Sequence, residues 1–311
     1  MFDLSVVICT YNGETRIGTV LERLRSQRPT PFTWEILIVN NNSTDNTQQI
    51  IDQYQQEDPS LRSVIEPQQG LAYARSRGVQ DANGELVAFL DDDTLPDSDW
   101  VNQIGQFAKT HPQAGAFGGQ IHGDYEVEPS PELKKVAVFL AVIERGSKPY
   151  CYEPKKRMLP PGAGLVVRRQ VWLDTVQTQL VGRTTAAMLA SEDIEAIAQI
   201  QTAGWEIWYH PDMHLYHQIP QWRTERAYLL SLVKGMGLAR HHIRMVRLRP
   251  WQRPFATPLY LLNDLRQLLI HKLTHRTSQD LAAACQRQLL CSSLISPFYL
   301  WSLGWRRPES L

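Results

Sequence analysis

Two rhythms of apolar and polar residues alternate over the first hundred positions. Leu4 to Cys9 is a β-branched apolar run ending in the turn-forming Thr10-Tyr11-Asn12-Gly13. Ile17, Val20, Leu21 and Leu24 then recur at helical spacing. Trp34 to Val39 predicts a second strand running into Asn40-Asn41-Asn42-Ser43-Thr44-Asp45, and a helix follows through Ile50, Ile51 and Tyr54. Leu61 to Ile65 predicts a third strand, Gly70 to Val79 a helix, and Glu85 to Leu90 a fourth strand ending in Asp91-Asp92-Asp93. Strand–helix alternation predicts an α/β fold with a mostly parallel sheet and helices on both faces. In such sheets ligands bind beyond the carboxyl ends of the strands. The polar clusters after strands one, two and four all fall there.

Beyond Asp99 the pattern loosens. Gly162-Ala163-Gly164 precedes a short strand, Leu165 to Arg168. Ser191-Glu192-Asp193 opens a helix with Ile194, Ile197 and Ile200 on its apolar face. Trp205 to Tyr209 reads as an aromatic strand, with His214-Leu215-Tyr216-His217 after it. Trp205, Trp208, Tyr209 and Trp222 are expected in the core, with some free to stack on a ligand ring. From Arg226 the pattern is mostly helical, interrupted at Pro250, Pro254 and Pro258.

Several of these residues carry chemistry. Three adjacent carboxylates repel one another, and a hard divalent cation with oxygen ligands would offset that repulsion; a solvated acidic loop is the alternative. Asn40 to Asp45 suits a helix N-cap, while its amides also suit a base edge. Arg75 is either a solvated helix residue or a diphosphate contact. Glu192 and Asp193 favour a helix start by charge, and either could serve as a general base. His217 is a packed histidine or a metal ligand. Small residues at Gly162 to Gly164 make a turn or admit a substrate close to the backbone.

Together these motifs, from about Leu4 to Arg223, resemble the inverting family-2 glycosyltransferases of GT-A fold. Cys9-Thr10-Tyr11-Asn12 resembles the family's first-strand P-x-Y-N element, and Val39 to Asp45 its V-D-D/N-G/N-S-T-D loop. Gly70 to Gly78 resembles G-x-x-x-A-R-N-x-G, Phe89 to Asp93 the D-x-D element, Pro161 to Gly164 the acceptor-side glycine loop, and Ser191 to Asp193 the G-E-D element. The resemblance implies a catalytic domain over residues 1–223 and a basic helical region over 224–311. It implies that Thr10, Tyr11, Asn12, Asn41, Arg75, Asp91 and Asp92 hold a nucleotide sugar. Asp93, with Asp91 and His217, would hold Mn²⁺ or Mg²⁺. Gly162, Ala163, Gly164 and Glu192 would line the sugar and acceptor side, and Asp193 would be the catalytic base. A UDP-sugar is the favoured donor, although Asn40 and Asn41 replace aspartates common in relatives and leave other bases open. Longer stretches, among them Gln120 to Asp124 and Gly204 to Tyr209, resemble the glycosyltransferases of cyanobacterial hormogonium polysaccharide synthesis, which implies a role in an exported polysaccharide; the expected acceptor is a glycan or lipid-linked glycan.

Composition changes this picture at one place. Lys+Arg and Asp+Glu both number 32, so the net charge is zero, which excludes a uniformly basic nucleic-acid coat. From Pro220 to Arg276, however, 11 Lys/Arg face only Glu225 and Asp264. That segment suits an anionic membrane surface, with Arg240, Arg244, Arg247 and Arg249 among the expected contacts, and no motif in it suits nucleic acid. The most apolar run, Leu289 to Trp305, is broken by Ser292, Ser293, Ser296 and Pro297 and ends at Arg306 and Arg307, an edge suited to a membrane interface. Four scattered cysteines and the lack of a leader pattern predict a cytoplasmic protein, peripheral at the inner face of the plasma membrane. Two rival functions are a catalytically silent GT-A module that binds or scaffolds glycans, and transfer to polyprenyl phosphate itself.

Overall fold

The computed structural model describes residues 2–154, 159–176, 189, 192–275 and 280–302. Its first half follows the predicted alternation: β1 (Phe2–Thr10), α1 (Ile17–Arg25), β2 (Trp34–Asn40), α2 (Thr47–Glu57), β3 (Leu61–Ile65), α3 (Leu71–Asp81) and β4 (Gly84–Asp91). Next come β5 (Thr94–Pro96), α4 (Trp100–Thr110), β6 (Ala114–Tyr125), α5 (Pro131–Lys134), β7 (Tyr150–Cys151), β8 (Val166–Arg168) and α6 (Arg169–Thr175). The last elements are α7 (Glu192–Thr202), β9 (Glu206–Ile219), α8 (Arg226–Val246), α9 (Arg253–Thr274) and α10 (Leu281–Ser302).

The strands form one sheet in the order β3-β2-β1-β4-β8-β6-β9-β5, with β7 paired to β9 off that path. β1 pairs in parallel with β2 and β4, β2 with β3, and β6 with β9. β8 runs antiparallel between β4 and β6, which brings its leading loop, Gly162 to Leu165, to the edge where β1, β2 and β4 end.

Both faces of the sheet are covered, so its central strands carry apolar residues at consecutive positions, as in Val6–Ile8, Ile36–Val39 and Leu86–Leu90, rather than at every second one. Val6, Ile8, Ile36, Ile38 and Ala88 pack against α1 and α4. The intervening Val7, Leu37, Val39, Val87 and Phe89 pack against α3, α6 and α7. A third cluster joins Leu133, Val136 and Leu140 to Ile219, to Leu229, Leu232 and Val233 of α8, and to Leu281 and Cys285 of α10. In space, then, α8 shares a core with Leu133, Val136 and Leu140, far earlier in the chain.

Three sequence expectations change here. β6 was not foreseen, because Gly115, Gly118, Gly119 and Gly123 lower its strand character. The glycines serve close approach: a Cβ on Gly119 would lie 2.1 Å from the carbonyl oxygen of Met213 on β9. The aromatic strand and the His214–His217 segment are one 14-residue strand, β9. Trp222 is exposed rather than in the core.

Candidate active site

The loops after β1 and β2 are stitched together. Asn12, at φ 48°, donates its backbone N–H to Ser43 Oγ (3.0 Å) and accepts Thr44 N–H on Oδ1 (2.9 Å). Gly13 N–H donates to Thr47 Oγ1 at 2.8 Å. Asp45 accepts Thr47 N–H at 3.1 Å and supplies the cap that Asn46 does not. Asn41 donates both amide hydrogens, to Glu66 O (3.0 Å) and Gln68 O (2.8 Å), and accepts Gly70 N–H (2.8 Å). Its amide braces the entry to α3, leaving one lone pair of Oδ1 for anything else. Tyr11 stands 46% exposed at the rim, its ring open to a partner.

Each carboxylate of the triplet meets a different arginine. Asp91 Oδ1 accepts from Arg75 at 3.3 Å. Asp92 takes Arg16 on both oxygens, at 3.1 and 3.0 Å, and Thr10 Oγ1 at 2.6 Å. Asp93 Oδ2 accepts from Arg223 at 2.7 Å. The repulsion anticipated from the sequence is therefore offset by three guanidinium groups. Arg75 is buried, not solvated: its other arm donates to Glu192 Oε1 at 3.1 Å, and its guanidinium lies 5.6 Å from the Phe89 ring centre.

Burial and charge act against each other at these groups. Burial pushes the Asp92 carboxyl up, and Arg16 and Thr10 only partly reverse that. Burial also opposes ionisation of Asp93, yet the Arg223 guanidinium bonded to it overcomes burial and holds the carboxyl well below the usual carboxylate range. Burial pushes the Cys9 thiol up to about 12, so at neutral pH it adds no charge beside Arg75.

Asp193 lies in the first turn of α7 and accepts the N–H of Ile194 on Oδ1 (2.8 Å) and that of Gly162 on Oδ2. The glycine loop and the aspartate are thus one unit. A Cβ at Gly162 would lie 2.6 Å from both terminal nitrogens of Arg75, so the loop passes the guanidinium only without a side chain. Gly164, at φ 69°, needs the left-handed conformation that glycine supplies. Ser191 lies outside the described residues.

His217 Nδ1 donates to the carbonyl oxygen of Leu140 (2.8 Å), which leaves its Nε2 lone pair facing Arg223 Nη1 at 3.1 Å and Asp93 Oδ2 at 3.6 Å. Among the described residues no three His, Cys, Asp or Glu side chains close around a metal position. Asp93 and His217 nonetheless aim a carboxylate oxygen and an imidazole nitrogen at one point. That mixed set fits Mn²⁺ or Mg²⁺ if phosphate oxygens and water complete the coordination.

All the residues named from the sequence except Asn12 and Gly164 line one cavity of about 820 Å³. Asn12 and Gly164 lie behind it, supporting the walls. The cavity also takes in Arg16, Arg223 and, from α8, Tyr228, Leu232 and Met236. Sequence reading missed these. Arg16 and Arg223 lie 76 and 130 positions from the carboxylates they hold, and no local pattern marks such a pairing.

The sequence profile described as Glycosyl transferase family 2 matches residues 5–170. The glucosyl-dolichyl phosphate glucuronosyltransferase of Haloferax volcanii is 24% identical over 233 residues, spanning 73% of this chain and 72% of that protein. The glycosyltransferase AglE of the same organism is 35% identical over 101 residues, 32% of this chain. That alignment spans 33% of AglE, about a third of its length. Among solved structures, the mannosyltransferase PcManGT from Pyrobaculum calidifontis, in complex with GDP-Man and Mn²⁺, superposes with a TM-score of 0.61 at 18% identity, covering 96% of this chain and 88% of that one. At that identity the likeness concerns the fold, and the architecture is the expected GT-A type with helices added at the C-terminus.

Proposed function

Because the chain belongs to glycosyl transferase family 2, and so is a glycosyltransferase, we propose that the cavity transfers a hexosyl or deoxyhexosyl group from a nucleotide diphosphate sugar to a hydroxyl of a growing, lipid-linked glycan. The observation that carries this reading is the convergence, in one cavity, of the aspartate triplet, its three arginines and the Asp193–Gly162 unit. The exposed Tyr11 ring stacks on the nucleobase, and Thr10 and Asn41 bound the base and ribose side. A UDP-sugar remains the favoured donor. Arg75 and Arg223 face the diphosphate, and Arg223 exchanges Asp93 for phosphate oxygens when donor binds. Asp93 and His217, with Asp91 beside them, hold Mn²⁺ or Mg²⁺, which supplies Lewis-acid neutralisation of the leaving diphosphate.

Asp193 takes the proton of the acceptor hydroxyl as that oxygen bonds to the anomeric carbon and the bond to the diphosphate breaks. Attack opposite the leaving group inverts the configuration in one displacement. The Gly162 N–H fixes the carboxylate's orientation, Gly162 and Ala163 leave room for the sugar at the cavity wall, and Gly164 supports the loop from behind. The lipid-linked acceptor is supported by the Haloferax relative, whose name states a glucosyl-dolichyl phosphate substrate. Likeness of the longer stretches to the hormogonium polysaccharide glycosyltransferase HpsE supports a product destined for an exported polysaccharide. We read residues 1–223 as the catalytic part and 224–311 as a basic addition facing the inner surface of the plasma membrane.

A panel of UDP-, GDP- and dTDP-sugars with Mn²⁺ or Mg²⁺, assayed for nucleotide release, tests the reading. Metal-dependent release with one donor class is expected. No release with any donor would favour a silent glycan-binding module.

A further inference from the structure

Helix α9 is unusual for what it leaves in solvent. It runs for 22 residues, about 33 Å, and rests on its neighbours through Asp264, Leu268 and His271. Phe255, Leu259, Leu262, Leu265, Leu269 and Leu273 recur at steps of three and four and are all exposed, Phe255 by 71% and Leu273 by 79%. Helical spacing puts them on one face along the whole helix. A surface helix normally turns that face inward, and an apolar strip of this length marks an interaction surface.

Charge indicates what covers it. From Arg226 to His275 the single carboxylate is Asp264, and it is fully buried. Arg244 grips it through two bonds of 2.6 and 2.8 Å, and Ser293 of α10 donates a third at 2.6 Å. Arg244 therefore faces inward and is unavailable to lipid, contrary to the sequence expectation. Arg240 also approaches Asp264, at 4.0 Å, and Arg247 donates to the carbonyl of Pro154. The cations that face outward around the strip are Arg249, Arg266 and Lys272, with Trp251 64% exposed just before the helix. Arg249 precedes the helix, and by helical spacing Lys272 borders the strip while Arg266 falls within it, between Leu262 and Leu269, from where its long stem carries the guanidinium out to the headgroups. With no exposed carboxylate on α8 or α9 and an interfacial tryptophan, this matches a helix lying in the headgroup plane of an anionic bilayer. A second copy of the chain is a poor occupant, because it would set these cations against one another. No described helix is long and apolar enough to cross a membrane.

We propose that α9 lies in the plane of an anionic membrane, with Phe255, Leu259, Leu262, Leu265, Leu269 and Leu273 inserted among the acyl chains and Arg249, Arg266 and Lys272 on lipid phosphates. This deepens the membrane part of the reading above and rests on it. α8, whose Tyr228, Leu232 and Met236 line the cavity, packs with α10, which in turn carries α9. The inserted helix thus anchors the cavity wall close to the bilayer that holds a lipid-linked acceptor.

Flotation of the full chain with vesicles tests it. Wild type should float with phosphatidylglycerol/phosphatidylcholine vesicles and stay behind with phosphatidylcholine alone. Combined Leu259→Ser, Leu262→Ser and Leu269→Ser should reduce the floated fraction at least tenfold at an unchanged melting temperature. A dye on Leu262→Cys should shift to the blue on adding anionic vesicles, which keeps the proposal testable if the triple variant unfolds. Nucleotide release from soluble donor, measured on the same samples without vesicles, separates a failed membrane contact from a failed enzyme. Equal flotation of variant and wild type, or no blue shift, would overturn the proposal. So would a wild-type dimer that the triple variant dissociates without any vesicle binding.

Discussion

Asp264 and Asp93 are both buried aspartates facing an arginine, and they differ in what could take the arginine's place. Asp264 is enclosed on all sides, held by both arms of Arg244 and by Ser293. Asp93 receives one arm of Arg223 at the wall of an 820 Å³ cavity, with the His217 lone pair beside it. An enclosed pair can only hold helices in register. A pair at a cavity wall can exchange its cation for a ligand. The same side-chain chemistry thus serves cohesion in the helical region and is available to the reaction at the sheet edge.

If that division is right, substitutions in the two regions should fail in different assays. Asp193→Asn should lower turnover by roughly 10²–10⁴-fold, while donor binding by calorimetry and the melting temperature stay near wild type. Asp264→Ala should do the reverse. Leaving Arg244 buried without its partner should cost about 3–5 kcal/mol of stability, read by denaturant unfolding, with turnover per folded molecule unchanged. Its pH dependence sharpens the point. Although burial alone would raise the Asp264 carboxyl, Arg244 and Ser293 hold it below its ordinary value. A depressed folded-state pKa gives stability that is present above the unfolded pKa of about 3.9 and lost as pH falls through the folded value. The gap between wild type and Asp264→Ala should therefore be full at neutral pH and close in strong acid; a gap of constant size would contradict the pairing. Gly162→Ala has the smallest expected effect. The added methyl displaces Arg75, and kcat/KM should fall roughly tenfold or more with little change in melting.

The same contrast explains what was legible in the sequence. Strands β1, β2 and β4 and their polar ends are local patterns, so the sheet edge and the triplet could be placed without a structure. Asp193 and Gly162 could be named separately, whereas their hydrogen bond joins residues 31 apart and only the fold reveals it. Arg16 and Arg223 carry no local signal, since any solvated arginine looks the same in a sequence. In the C-terminal region, counting charges identified a basic surface but not its orientation: Arg244 turned inward to Asp264, and the outward face of α9 proved apolar. Trp305, Arg306 and Arg307, expected at a membrane edge, lie outside the described residues.

The claim that Asp93 is exchangeable is tested most directly by titrating UDP into wild type and Asp93→Asn with and without Mn²⁺. Wild type should bind UDP much more tightly with Mn²⁺, and Asp93→Asn should lose that dependence while melting as a folded protein. Equal Mn²⁺ dependence in the two proteins would contradict it.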